Sequence, residues 1–262
     1  MLLVIDVGNT NTVLGVFNGN TLIQDWRIRT IRESTVDEFN LLAKALFVDK
    51  KIDLSTIKRT VISSVVPPIN SILDTFCTRY LNQKPLWIDP ASVKNLMPIC
   101  YSNPAEVGAD RIVNAVAAFE RYKTSMIIID FGTATTFDAI SAKGEYLGGA
   151  ITPGVMISAE ALFQRASKLP RVEIFRRPQN VIGKNTIDSI KSGIIYGNGA
   201  LVDGMVKRMS KEMGTTPKVI ATGGLAVLIA DASETIEIVD NALTLEGLRI
   251  IADQPVFSEG QR

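Results

Sequence analysis

A chain of 262 residues is longer than most single domains, which run to roughly 100–200 residues, so two domains are expected. Hydrophobic residues make up 46% of the chain and aromatic residues only 6%, which is typical of an α/β core rich in Val, Ile, Leu and Ala. The net charge of +1, without a basic block, argues against a nucleic-acid partner, and no apolar run approaches the roughly 20 residues that would cross a membrane.

The chain contains no histidine, which narrows the range of catalytic mechanisms open to it. It excludes Ser/His and Cys/His nucleophiles, His-ligated zinc and His as a general base. Proton transfer near pH 7 therefore falls to a carboxylate, Lys, Tyr or Cys, and carboxylates are the leading candidates. The chain starts with a strand pattern rather than a signal peptide, and its two cysteines, Cys77 and Cys100, are predicted to be free thiols, so a cytoplasmic location is expected.

The first predicted element is an apolar strand that ends in Asp6-Val7-Gly8-Asn9-Thr10. The same pattern recurs as Asp130-Phe131-Gly132-Thr133-Ala134, again after an apolar strand, and both copies continue with two further strands. A glycine after a strand lets backbone N–H groups approach a phosphate, and an Asp at the strand end suits a cation. A single copy is equally typical of a hairpin turn, but the repeat favours two phosphate-binding loops, in two domains that face each other across one nucleotide.

The rest of the first half alternates helices and short strands. The segment from Thr35 to Glu38 is a capping box, and the apolar spacing after it predicts a helix. A strand over 61–66, a helix opened by Pro67-Pro68 and a strand over 86–88 follow. This order predicts a mixed sheet flanked by helices. The apolar positions of the first helix are Phe39, Leu42, Ala43, Leu46 and Phe47.

The segment from Tyr101 to Arg111 concentrates polar groups before a helix with an apolar face. Asp110 is explained equally by a structural role, as a charge at the start of that helix. Alternatively, Asp110 accepts a proton from a substrate, and Arg111 binds an anionic substrate, because guanidinium groups suit carboxylates. Composition alone leaves both interpretations open.

The second half repeats the scheme of the first. Strands over 126–151 lead through a turn into a helix, and a long helix is predicted from Thr186 to Met213. A strand over 219–221, a Gly223-Gly224 turn, a strand over 236–239 and a helix over 245–252 complete the pattern. We therefore predict two α/β domains, over residues 1–115 and 116–262, with a cleft between them. The glycines of 148–154 and 221–224 are weak indications of walls of a nucleotide site, and the residues around Thr186 indicate only a helix cap.

Together these segments resemble the type III pantothenate kinases, which belong to the superfamily that also contains acetate kinase, sugar kinases and actin. The similarity covers about residues 1–255. Asp6 to Thr10 resembles the first phosphate motif of the family, Asn103 to Arg111 its pantothenate motif, and Asp130 to Thr136 its second phosphate motif. The resemblance implies an actin-like ATPase fold of two ribonuclease H-like domains, and ATP-dependent phosphorylation of pantothenate, the first step of coenzyme A biosynthesis.

The resemblance also implies a role for each matching residue. Asp110 would be the general base, Asp130 would bind a monovalent cation (K⁺ or NH₄⁺), and Thr133 would contact ATP. Thr186 would contact pantothenate across the interface of a homodimer, and Mg²⁺ would accompany the nucleotide. The ATP phosphates would lie on Asp6, Val7, Gly8, Asn9, Thr10, Asn11, Thr12 and Val13, and the remaining pantothenate contacts would be Tyr101, Gly108, Ala109, Asp110 and Arg111.

Two other functions stay open at this point. One is a different phosphotransferase of the same superfamily, which would lack the segment from Gly108 to Arg111 in this form. The other is a non-catalytic accessory factor for gene expression. The retention of Asp6, Asp110 and Asp130 favours the enzyme over the accessory factor.

Overall fold

The computed structural model describes residues 1–254, and the chain divides into two compact units. The first unit contains residues 1–98, 102–117 and the chain from Leu243 onward, and the second contains 99–101 and 118–242. The sequence prediction separates domains at 115/116 and gives the C-terminal helix to the second. The last eight residues of the predicted domain 116–262 lie outside the described residues.

The first unit is built on a five-stranded mixed sheet with the strand order β3-β2-β1-β4-β5. Strands β1, β2 and β3 form an antiparallel meander, and β4 pairs with β1 in parallel, as β5 does with β4. The strands are β1 (Leu2–Val7), β2 (Asn11–Asn18), β3 (Thr21–Arg29), β4 (Arg59–Ser64) and β5 (Leu86–Trp87), and the helices are α1 (Val36–Asp49), α2 (Pro67–Tyr80), α3 (Ala109–Tyr122) and α7 (Leu243–Ala252). Single turns of 3₁₀ helix lie at Leu54–Thr56 and Pro104–Glu106.

Local signals in the sequence set the helices of this unit. Thr35 caps α1 through a reciprocal bond pair with Glu38, as predicted, and Pro67 occupies the first turn of α2. Three residues of the predicted apolar face of α1 are buried, but Leu42 is 41% exposed and lies outside the core. The core between the helices and the sheet includes Trp26 stacked on Phe47.

The second unit repeats the same sheet, with the order β10-β9-β6-β7-β8. Its meander is again antiparallel and its outer pairs are again parallel. The strands are β6 (Met126–Phe131), β7 (Ala134–Ile140), β8 (Tyr146–Pro153), β9 (Lys218–Thr222) and β10 (Ile238–Val239), and the helices are α4 (Val155–Arg165), α5 (Thr186–Met213) and α6 (Ala226–Ala230). The repeated topology explains the repeated sequence pattern.

Helix α5 begins and ends with recognisable caps. The side chain of Asn185 accepts a bond from the amide of Asp188, and Gly214 closes the helix in the left-handed conformation at φ 64°. Among its apolar residues, Ile194, Ile195 and Val202 are buried in the core of their own unit. These three residues therefore do not belong to an exposed apolar surface.

The C-terminal helix α7 packs on the first unit. A side chain added at Gly247 would lie 2.3 Å from the carbonyl oxygen of Val113, so glycine allows α7 to approach α3 closely. Leu245 of α7 lies against Gly15 of β2. No helix within residues 1–254 is long and apolar enough to cross a membrane.

Candidate active site

The first phosphate motif forms a tight turn between β1 and β2. The Gly8 amide donates to the Asn11 carbonyl at 2.9 Å. The end of β3 holds the turn from the other side, because the Thr30 amide donates to the Thr10 carbonyl at 3.0 Å and the Thr30 hydroxyl donates to the Gly8 carbonyl at 2.7 Å. The buried hydroxyls of Thr12 and Thr30 lie 2.9 Å apart. The turn is therefore fixed by side chains, while Asn9 and Thr10 stay exposed.

The predicted base lies close to this turn within the same unit. The Val65 amide donates to the Val7 carbonyl at 3.1 Å, at the end of β1. A side chain added at Gly108 would lie 3.7 Å from Val65 and only 2.6 Å from Oδ1 of Asp110. Gly108, two residues before Asp110, thus lies next to Val65, whose amide is bonded to the end of β1. Glycine at position 108 leaves the space that the Asp110 carboxylate needs.

Helix α3 sets the orientation and the charge of Asp110. Its Oδ1 accepts a hydrogen bond from the Arg111 amide at 2.8 Å. Burial raises the pKa of Asp110 above the ordinary value, and this effect outweighs the bond from the Arg111 amide and the charge of Arg111, which both lower it. A carboxylate with a raised pKa is a stronger base, so the position favours proton transfer.

The neighbouring side chains of α3 are also buried. Arg111 is 7% exposed and lies on the same first turn as Ala109, which is 8% exposed. Further along the helix, the Thr244 hydroxyl donates to the side-chain oxygen of Asn114 at 2.7 Å and connects α3 to the start of α7. A buried guanidinium beside the base suits an anionic group of a substrate.

The second phosphate motif follows the same strand pattern, but its turn is one residue shorter and its surroundings differ. The Gly132 amide donates to the Ala134 carbonyl at 3.1 Å. A side chain added at Gly154 would lie 2.2 Å from the carbonyl oxygen of Thr133, and one at Gly223 would lie 2.5 Å from Oδ1 of Asp130. Gly223 also has φ 94°, a conformation that favours glycine. The backbone at Gly154 and at Gly223 therefore packs directly against this motif.

These surroundings suit a monovalent cation at Asp130. Its carboxylate lies in the space that a side chain at Gly223 would fill, beside the carbonyl oxygen of Phe131. Carboxylate and carbonyl oxygens are the ligands that hard cations prefer. Within residues 1–254 no group of three or more acidic or Cys side chains forms a metal cluster.

Tyr101 lies on the second unit, held by Tyr146 of β8. The Cys100 amide donates to the Tyr146 carbonyl at 2.8 Å, and the two tyrosine rings meet edge to face at 6.4 Å. The Tyr146 hydroxyl donates to Oδ1 of the fully buried Asp138 at 2.6 Å, and Thr136 donates to its Oδ2 at 3.2 Å. Sequence reasoning missed Asp138 and Tyr146, although a charged residue in an apolar strand was the available signal.

Thr186 occupies a different part of the second unit. It lines a cavity of about 650 Å³ between α4 and the start of α5, together with Leu162, Leu169, Gly183, Lys184, Asn185, Ser189, Ile190, Gly193 and Ile194. The structure thus brings Asp110 close to the first phosphate motif, and it brings the ring of Tyr101 into contact with that of Tyr146. Thr186 lies apart, in a cavity with no other predicted site residue in its lining.

The repeated sheet, with an Asp-Gly turn between its first two strands, defines a protein of the actin-like ATPase fold. A solved structure, component A of (R)-2-hydroxyglutaryl-CoA dehydratase from Acidaminococcus fermentans, has the same fold. Its TM-score is 0.55 at 14% identity, over 96% of this chain and 99% of that chain. At such low identity the likeness concerns the fold alone. It confirms the fold class predicted from the sequence.

Sequence comparison gives the family. The profile described as Type III pantothenate kinase matches residues 2–208. A protein of that name from Desulfatibacillum aliphaticivorans is 63% identical over 254 residues, 97% of this chain and 98% of that protein. Another from Syntrophus aciditrophicus is 58% identical over 251 residues, 96% of this chain and 98% of that protein. The chain belongs to the type III pantothenate kinase family, as the motifs predict.

Proposed function

We propose that this chain transfers the γ-phosphoryl group of ATP to the primary hydroxyl of pantothenate, the first step of coenzyme A biosynthesis, with Asp110 as the general base. The observation that carries the assignment of the base is the position of Asp110. It is partly buried, oriented by the Arg111 amide, and lies two residues after Gly108, which neighbours Val65 at the end of the first phosphate motif.

The proposed reaction needs only one base, and the bond that it forms to phosphorus is matched by one that breaks. The Asp110 carboxylate takes the hydroxyl proton while the hydroxyl oxygen forms a bond to the γ-phosphorus. The bond between that phosphorus and the bridging oxygen breaks, and its electron pair leaves with ADP. The raised pKa of Asp110 favours this proton transfer.

The first phosphate motif supplies the nucleotide contacts in this proposal. Asp6 to Val13 would hold the phosphates through backbone N–H groups and threonine hydroxyls, and Thr133 would contact ATP from the second motif. Mg²⁺, when bound, neutralises charge on the phosphate oxygens. The tight hydrogen bonding of Gly8, Thr10 and Thr30 keeps the turn ready for this role.

The pantothenate site in this proposal starts from α3. Gly108, Ala109 and Arg111 would contact the substrate, and the guanidinium of Arg111 would pair with its carboxylate. Tyr101 would contribute a ring contact, which is supported by its fixed position against Tyr146.

We assign a monovalent cation, K⁺ or NH₄⁺, to Asp130. The support is the position of the Asp130 carboxylate, which packs beside the carbonyl oxygen of Phe131 and the backbone of Gly223. Turnover should be several-fold faster in K⁺ than in Na⁺ at equal ionic strength. Equal rates in the two salts would contradict the assignment.

We further propose a homodimer in which Thr186 contacts the pantothenate of the partner subunit. Around Thr186 the second unit exposes large apolar side chains that a monomer would leave in water. They lie on α4, on the segment before α5 and on its first turn: Met156, Ile157, Leu162, Phe163, Phe175, Val181, Ile182 and Ile187. A second copy of the chain would bury them.

Subunit mixing tests the shared site. Asp110→Asn and Thr186→Arg should each be inactive alone, and mixing them with subunit exchange should restore partial activity, because some heterodimers contain one intact site. A fully active monomer in sedimentation would contradict the dimer. No restored activity from a proven heterodimer would contradict the shared site.

A cytoplasmic location completes the proposal. Cys77 is buried and Cys100 is exposed, and both are free thiols, which is typical of reducing compartments. A coupled assay with ATP and pantothenate tests the activity itself. Absence of product with the purified chain in K⁺ buffer would favour the non-catalytic accessory function instead.

A further inference from the structure

A short loop between β3 and α1 places an arginine over the first phosphate motif. Nη2 of Arg32 donates to the side-chain oxygen of Asn9 at 2.9 Å. Both side chains are exposed, so the guanidinium covers the outer face of the motif rather than packing in the core. Nothing in the sequence pattern singles out this arginine from the others of the same region.

The loop that carries Arg32 is fixed at both ends. At its start, Thr30 bonds to the backbone of Gly8 and Thr10. At its end, the capping box of Thr35 and Glu38 anchors the first turn of α1, with the Thr35 amide 2.7 Å from Oε2 of Glu38. Arg32 is therefore confined to the neighbourhood of the phosphate motif.

The guanidinium has donors left for a ligand. Arginine carries five N–H donors in one plane and cannot lose its charge near neutral pH. Within residues 1–254, the bond to Asn9 is the one hydrogen bond of Arg32, and the side chain has no ion pair. Its remaining donors can bind phosphate oxygens, and such charge-assisted bonds are about twice as strong as neutral ones.

The second unit has no counterpart of this loop. There, α4 begins at Val155 directly after β8 ends at Pro153, with only Gly154 between them. In the first unit six residues, 30–35, separate β3 from α1. The additional segment is thus specific to the motif that lies beside the proposed base.

We propose that Arg32 binds the β- and γ-phosphate oxygens of ATP and stabilises the charge of the transferred phosphoryl group. This inference rests on the proposed placement of the ATP phosphates on Asp6 to Val13. Arginines that neutralise this charge are a recurring device of phosphoryl transfer, because alignment and charge supply most of its catalysis. The alternative is that Arg32 only holds Asn9 in place.

The test compares Arg32→Gln and Arg32→Lys with Arg29→Gln. Arg29 is an exposed arginine at the end of β3, so its variant loses the same charge three residues away. Arg32→Gln should lower kcat/KM for ATP by about 10²-fold, the scale of losing one transition-state donor, while KM for pantothenate is unchanged. Arg32→Lys should recover part of the loss, and Arg29→Gln should match the wild type.

Asn9→Ala separates the two roles of Arg32. If Arg32 binds phosphate, Arg32→Gln costs far more than Asn9→Ala, and it weakens binding of a non-hydrolysable ATP analogue but not of adenosine. Equal losses in the two single variants, with no further loss in the double variant, would overturn the inference. If Asp6→Asn leaves ATP binding intact, the placement of ATP itself is wrong, which is a separate result.

Discussion

The two phosphate motifs share a sequence pattern and a strand topology, but they are held in different ways. Thr30 follows the third strand of the first meander and bonds the motif through its side chain. Gly154 follows the third strand of the second meander and lets backbone press against Thr133. The first motif is thus fixed by hydroxyl groups beside Asp110, and the second by glycine backbone around Asp130. The same strand-turn-strand frame can therefore be held in place in two different ways.

A second equivalent pair extends the comparison. Gly15 of β2 and Asp138 of β7 occupy the same register position, opposite Val4 and Ile128. In the first unit Leu245 of α7 lies against Gly15. In the second unit the position carries a buried carboxylate that holds Tyr146. The first sheet is covered by a helix at this point, whereas in the second Tyr146 packs against the ring of Tyr101.

The largest expected effect is a difference between two carboxylates, Asp110 beside the first motif and Asp130 in the second. Asp110→Asn should lower kcat by about 10²–10⁴-fold at every K⁺ concentration, because it removes the base. Asp130→Asn should lower kcat less and abolish the difference between K⁺ and Na⁺. Steady-state rates in both salts measure this, with Asp37→Asn in the first turn of α1 as a control for a lost helix charge. A K⁺-dependent defect in Asp110→Asn would break the distinction.

Asp110→Asn should also stabilise the fold at neutral pH. The folded-state pKa of Asp110 is raised above the unfolded value of about 3.9, so stability falls as pH rises above that value, and the loss is complete above the raised pKa. Below about pH 3.9 both states are protonated and the cost disappears. Denaturant unfolding should show the variant as more stable at pH 7.5 and similar to the wild type near pH 3.5. A variant less stable at pH 7.5 would contradict the burial of a charged base.

The next effect compares the glycines of the two motifs. Gly154→Ala should destabilise the protein by about 3 kcal/mol and lower activity, because its new methyl group would meet backbone atoms that cannot move aside easily. Gly8→Ala should destabilise the protein less, since the added methyl group would lie 3.2 Å from its nearest neighbour, the Asn11 carbonyl oxygen. Thermal unfolding measures both. Equal losses would show that the two turns are packed alike.

Tyr146→Phe should produce a smaller, more specific change. Loss of the hydroxyl removes a donor from buried Asp138, at a cost of about 2 kcal/mol, and loosens the support of Tyr101. KM for pantothenate should rise while KM for ATP stays constant. Phe137→Leu, on the opposite face of β7, is the control for lost stability. If Phe137→Leu raises KM for pantothenate as much as Tyr146→Phe does, Tyr146 has no positioning role.

The smallest effect concerns two hydroxyl groups, that of Thr30 just after β3 and that of Thr152 near the end of β8. Thr30→Val removes a 2.7 Å bond to the Gly8 carbonyl and should cost about 1 kcal/mol with a modest rise in KM for ATP. Thr152→Val removes a weak 3.4 Å contact with the Thr135 carbonyl and should be close to neutral. Urea unfolding of the pair measures the difference. The reverse order would contradict side-chain anchoring of the first motif.

The sequence predicts features that depend on short-range patterns. Both phosphate motifs, the capping box at Thr35 and the bounds of α5 follow from neighbouring residues. The contacts of Arg32 with Asn9 and of Tyr146 with Asp138 join residues that a pattern does not relate, so sequence reasoning missed them. The placement of α7 in the first unit also depends on packing against Val113 rather than on its own periodicity.

Phosphorus NMR of the complete reaction tests the central claim most directly. With the purified chain, ATP, Mg²⁺, K⁺ and pantothenate, the account predicts one phosphomonoester signal for each ADP formed, and none with Asp110→Asn. Release of inorganic phosphate without the phosphomonoester, or an undiminished signal from Asp110→Asn, would contradict it.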